Sequence, residues 1–102
     1  MVARVTRYRI RVGREEEFAS TIDRWLCHLD TLAGFQFFLL LHGEDPGGRD
    51  VTSISVWDCV ENMTSSENTA VYYECVKTLI GCCESFSPMH YHDVLKTRFA
   101  HS

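Results

Sequence analysis

No stretch of roughly twenty apolar residues, the length that crosses a bilayer as a helix, occurs in this sequence. An apolar leader is missing too: Met1 to Val12 alternates charge with hydrophobe, unlike the core of a signal peptide. Membrane insertion and export are therefore not expected, and the reading is a cytoplasmic protein. Net positive charge is absent as well. Ten Lys and Arg stand against fourteen Asp and Glu, a net −4, which gives nucleic acid or anionic lipid no overall attraction. The five cysteines (Cys27, Cys59, Cys75, Cys82, Cys83) are an odd number with no framework spacing and no C-x-x-C pair. That argues against disulfides and structural zinc, and leaves them as small core hydrophobes. Internal repeats and low-complexity tracts are also lacking.

What is present is ordinary globular composition over 102 residues, 45% hydrophobic and 24% charged, which predicts one domain spanning residues 1–102. A domain of this size buries only about two-thirds of the surface its unfolded chain exposes, so covering a further face against a second copy has more than usual value.

The order of elements follows from periodicity. Val2 to Val12 interleaves Arg7, Arg9 and Arg11 on one side with Tyr8, Ile10 and Val12 on the other, a period-two strand. The arginines read as a solvated face that also discourages edge-to-edge pairing. Gly13 ends it, and Glu15, Glu16 and Glu17 place negative charge at the positive end of a helix dipole, so a helix begins near Arg14. Phe18, Ile22, Trp25, Leu26 and Leu29 form its apolar stripe, and it stops before Gly34. Phe35 to Leu41 is a second strand, with Phe35, Phe37, Leu39 and Leu41 facing one way and Phe38 and Leu40 the other.

Both faces of that strand need cover, while one helical layer covers only one; a homodimer packed sheet on sheet supplies the other. After the turn-rich Gly43 to Gly48, Val51 to Trp57 is a third strand, with Val51, Ser53, Ser55 and Trp57 on one face. Asp58 and Glu61 have capping-box spacing for a short helix, and Ser65 or Ser66 is placed to cap a second segment carrying Tyr72, Cys75, Val76, Leu79 and Cys83. Pro88 ends the helical region, and Met89 to Phe99 is a fourth strand on which His90 and His92 share a face. The predicted class is α+β, a ferredoxin-like β-α-β-β-α-β order with an antiparallel sheet.

Three segments in this order, Val12-Gly13-Arg14-Glu15-Glu16-Glu17-Phe18, Ala33-Gly34-Phe35 and Val56-Trp57-Asp58, give the chain a resemblance, over nearly its whole length, to the antibiotic biosynthesis monooxygenase (ABM) family. The resemblance implies a homodimeric α/β barrel with a cavity in each subunit between sheet and helices. It implies oxygenation of aromatic, polyketide-like phenols with no flavin, metal or other cofactor. The family's strand-end tryptophan matches at Trp57, whereas an Asn of a studied oxygenase is Ser53 here and a tyrosine is Met63. In a haem-degrading subgroup of the superfamily, a second Trp, the iron-binding His and a first-strand Asn correspond to Ser66, Val76 and Thr6, so haem has no matched axial ligand.

The expected site thus contains Trp57 and Tyr72, with Ser53, Ser55 and Met63 as substrate contacts. Tyr72, on the core-facing stripe, is preferred to Tyr73 and Tyr91 as a hydrogen-bond donor to a phenolate. His42 and His90 are candidate bases. His90 and His92 together make at most half a zinc site. The expected function is a cofactor-independent monooxygenase of a small aromatic or quinol-like compound. Two alternatives are a noncatalytic dimeric small-ligand-binding or stress-associated module, motivated by Ser53 and Met63, and a lyase, cyclase or isomerase with His42 or His90 as base.

Overall fold

Alternation along the first strand sets the inner side of the sheet. In the computed structural model, which describes residues 1–87 and 89–100, β1 (Val2–Ile10) buries Val2, Arg4, Thr6, Tyr8 and Ile10 against the helices. The strand stops at Ile10, short of the expected Val12, because the amide of Arg14 donates back to the carbonyl of Arg11 and Gly13 turns the chain at φ 85°; Val12 is left 76% exposed. Helix α1 (Glu15–Leu29) opens on its three glutamates and buries Phe18, Ile22, Trp25 and Leu29. Each such side chain contributes about 1.5–3 kcal/mol of burial.

Strands β2 (Phe35–His42) and β3 (Asp50–Trp57) form a hairpin, and helices α2 (Val60–Ser66) and α3 (Ala70–Cys82) follow. The short strands β4 (Cys83–Phe86) and β5 (His90–Asp93) both pair antiparallel with β1, at its end and its beginning respectively. Together they fill the place of one fourth strand in the order β2-β3-β1-β4, which is the antiparallel ferredoxin-like arrangement. Two buried apolar clusters lie between helices and sheet, one around Tyr8, Phe18 and Leu79, the other around Trp25, Leu29, Trp57 and Met63. On the opposite sheet face Leu39 and Leu41 are each 45% exposed, and Phe37 and Ile54 are half-buried. Among the described residues no helix is long and apolar enough to cross a membrane.

Five local expectations are corrected. A bulge between Phe35 and Phe37 shifts the register, so Phe35 pairs with Trp57 and joins Phe38 on the helix side instead of Phe37 and Leu39. Cys83 opens β4 and is not part of the α3 stripe. Thr69, not Ser65 or Ser66, caps α3, its hydroxyl accepting from the Tyr72 amide at 3.1 Å. Asp58 does not cap α2, whose N-cap is Cys59; its carboxylate accepts from Asn62 Nδ2 at 2.9 Å. The expected strand from Met89 to Phe99 is confined to His90–Asp93, and the boundary placed at Pro88 lies outside the described residues.

Candidate functional site

The inner face of the sheet and the helices enclose a cavity. Its floor comes from period two in neighbouring strands: Arg4, Thr6 and Tyr8 of β1 project together, and the β1–β3 register sets Arg4 opposite Ser55 and Thr6 opposite Ser53. Ile22 and Trp25 of α1 and Tyr72 and Leu79 of α3 form the roof, with Phe86 and Met89 at one side. The cavity is tight, with a volume of about 30 Å³. By that measure it holds one or two waters, so a ring-sized ligand enters only when side chains turn aside.

The polar groups of the cavity are few and specific. The Tyr8 hydroxyl and Ser53 Oγ lie 2.9 Å apart. Burial pushes the Tyr8 pKa up, against the opposing effect of its hydrogen bond to Ser53. Burial likewise pushes Tyr72 up to about 12, with the nearby Arg4 charge acting the other way. Its hydroxyl donates to Met89 Sδ at 2.9 Å. Both phenols are therefore protonated at neutral pH and serve as hydrogen-bonding groups, not bases.

Among the described residues the one formal charge on the cavity wall is Arg4, only 5% exposed. Its Nη1 donates to Ser66 Oγ and to Glu67 Oε2, both at 3.1 Å. The guanidinium carbon lies 5.6, 5.7 and 5.8 Å from the ring centres of Tyr72, Trp57 and Trp25. These distances suit cation–π attraction, which strengthens as water is excluded. A buried guanidinium is costly without such partners.

Of the residues singled out from sequence, Ser53, Ser55 and Tyr72 meet in the cavity wall. Trp57 is completely buried just beneath it; its indole N–H donates to Ser55 Oγ at 3.0 Å and its ring meets Phe35 edge-on at 5.5 Å. Met63 packs in the same cluster as Trp57 and lines a separate, open hollow beside Glu67 and Tyr91. His42 stands exposed at the end of β2. His90 pairs with Val5, so alternation turns it to the sheet face away from the helices, with its ring 6.5 Å from that of His92. Neither His42 nor His90 lines the cavity. Among the described residues no three His, Cys, Asp or Glu side chains are grouped to hold a metal ion.

Sequence reasoning missed Arg4, Thr6 and Tyr8 as wall residues. The signal was there: the alternation that turns Tyr8 and Ile10 inward, continued backward, also turns Thr6 and Arg4 inward.

No protein-family model matches the chain, and no curated protein matches it. Solved structures do. A variant of SnoaB, a cofactor-independent oxygenase from Streptomyces nogalater, superposes with a TM-score of 0.83 at 19% identity, covering 94% of both chains. A candidate antibiotic biosynthesis monooxygenase from Nitrosomonas europaea gives 0.81 at 13% identity, over 94% of this chain and all of the other. The fold is that of the antibiotic biosynthesis monooxygenases. A conserved protein from Methanosarcina mazei Go1 shares it at 0.81 and 12% identity, over 89% of each chain. At such identities the likeness to the ABM structures is one of backbone architecture, and one fold hosts many chemistries.

Proposed function

We propose that this chain is a cofactor-independent monooxygenase of a small phenol or quinol, working as a cytoplasmic homodimer. The observation that carries the reading is the enclosed cavity, lined by aromatic and apolar side chains with a few hydroxyls and the Arg4 guanidinium, in a fold shared with a cofactor-independent oxygenase. An electron-rich phenolate is itself the reductant of oxygen. It supplies both electron pairs: one oxygen atom ends as a quinone carbonyl and the other leaves as water with the two displaced hydrogens. The protein's part is to hold the phenolate and keep bulk water out. Support for the homodimer comes from the open apolar face around Leu39 and Leu41, which a second sheet would cover. Five free thiols, three of them buried, accord with a reducing compartment.

The test is oxygen consumption with a panel of phenols and hydroquinones in the presence of a metal chelator. Uptake that requires both protein and substrate is expected; a panel whose members bind without any uptake would refute the oxygenase reading. That outcome would favour a noncatalytic ligand-binding module. Two observations weigh toward this second reading: the tightness of the cavity, and a lining that among the described residues holds no histidine or carboxylate. A cyclase or isomerase with His42 or His90 as base has no comparable observation behind it.

A further inference from the structure

Arg4 has more donors than its known partners use. A guanidinium carries five N–H groups in a fixed fork. Here Nη1 alone is engaged, by Ser66 and Glu67, and Nε and Nη2 have no hydrogen-bond partner among the described residues. They are not sealed either: the one fully enclosed side-chain polar atom without a partner among those residues is His28 Nε2. Arg4 thus lines the cavity while keeping donors that no described residue uses. The counter-charge stands outside it, since neither Glu67 nor any other carboxylate among the described residues lines this cavity.

We propose that the cavity binds its ligand as an oxyanion, the phenolate of an acidic aromatic alcohol, held by the Nε and Nη2 donors of Arg4 and enclosed by Trp25 and Tyr72. The ligand class rests on the oxygenase reading, but the anion site is a claim about binding alone. Charge-assisted hydrogen bonds to a planar fork are the stronger kind, and in a water-excluded site they favour the ionised ligand over the neutral one. This answers the lack of a base among the described wall residues: a fixed positive charge lowers the pKa of the bound phenol, so its proton goes to solvent before or during entry. The other titratable wall groups, Tyr8, Tyr72 and Cys75, are each held in the neutral form by burial and do not compete for the role. Glu67 acts as the antagonist, because it already neutralises part of the Arg4 charge and receives the Tyr91 hydroxyl at 2.9 Å on its other oxygen.

The experiment compares 4-nitrophenol with its methyl ether, 4-nitroanisole, which cannot ionise, on the intact protein. The phenolate absorption band reports the protonation of bound 4-nitrophenol directly. The expected results are a bound phenol whose pKa falls by at least one unit, a tenfold preference for the ionised form, and weaker binding of the ether. Arg4→Gln should weaken 4-nitrophenol binding at least tenfold and abolish the pKa shift while leaving 4-nitroanisole unaffected. Glu67→Gln removes the negative charge while its amide oxygen still accepts from Arg4 and its amide nitrogen donates to the Tyr91 hydroxyl, and it should act in the opposite direction: tighter phenolate binding and a larger ligand-induced rise in melting temperature. A purely structural Arg4–Glu67 pair would move both variants the same way. Equal affinity for phenol and ether, no binding of either, or a Glu67→Gln protein whose phenolate affinity is unchanged would overturn the proposal; the last applies even if Arg4→Gln fails to fold. Phenolate binding as described with no oxygen uptake on oxidisable phenols would uphold the anion site and remove the oxygenase reading.

Discussion

Gly34 sits where the loop after α1 crosses the start of α2, and its replacement by alanine offers a sharp test of the packing beneath the cavity. Its φ of 80° lies in the left-handed region, which costs an L-residue with a Cβ about 1–2 kcal/mol. An added methyl would also run into Asp58 Oδ1 and the side-chain amide of Asn62, a pair joined at 2.9 Å. Separating that pair forfeits about 1 kcal/mol. A further bond, from the Asp58 amide to the Gly34 carbonyl at 2.9 Å, is strained in the process. The expected loss is about 2–4 kcal/mol. Gly13→Ala is the control, because its φ of 85° carries the same conformational cost while no atom lies within 4 Å of the added methyl; it should lose about 1–2 kcal/mol. Urea unfolding at one protein concentration, with unchanged m-values, measures both. Equal losses for the two variants would refute the steric argument and with it the close seating of the loop on α2.

Ser55→Ala leaves the Trp57 indole N–H buried without its acceptor and should cost about 1–3 kcal/mol, seen in thermal unfolding together with a shift in tryptophan emission. The Arg49 guanidinium holds the Glu84 carboxyl below the usual range, backbone amides led by that of Arg49 do the same for Asp45, and the Asn62 side chain does so for Asp58. A folded pKa below the unfolded one contributes stability above about pH 4 that is lost as pH falls through the folded values. The melting temperature should therefore decline on acidification below that point, and less steeply in Arg49→Gln; an identical pH profile would refute the pairing. On the open sheet face, Leu39→Lys should convert the proposed dimer into a folded monomer by sedimentation, and a variant that stays dimeric would move the interface elsewhere.

Much of the architecture was legible because it is local. The alternation in β1 and β3, the acidic opening and apolar stripe of α1, and the turn residues around Gly34 and Gly43 to Gly48 each express a conformational preference within a few residues, and they suffice for the β-α-β-β-α-β order. The inward row of Ser53, Ser55 and Trp57 was readable for the same reason, as was the helical position of Tyr72. What could not be read was decided by pairing between distant segments. The bulge that turns Phe35 toward Trp57 exists only in the register of β2 against β3, and the division of the last strand into β4 and β5 exists only in how two short segments share β1. His42 and His90 have the right chemistry for a base, but the strand end of one and the outward register of the other keep both out of the cavity wall.

The clearest case is Arg4. Its inward direction follows from the period of its own strand, but the sequence could not say that a buried cation would be tolerated there. That was decided by Trp25 from α1, Trp57 from β3, Tyr72 from α3 and Glu67 from the loop after α2, all converging on one guanidinium. Amphipathic pattern determines which way a side chain points, because each residue's backbone geometry sets it. Only the packed structure determines what it meets, because the energy of burying a charge depends on groups brought together from across the whole chain.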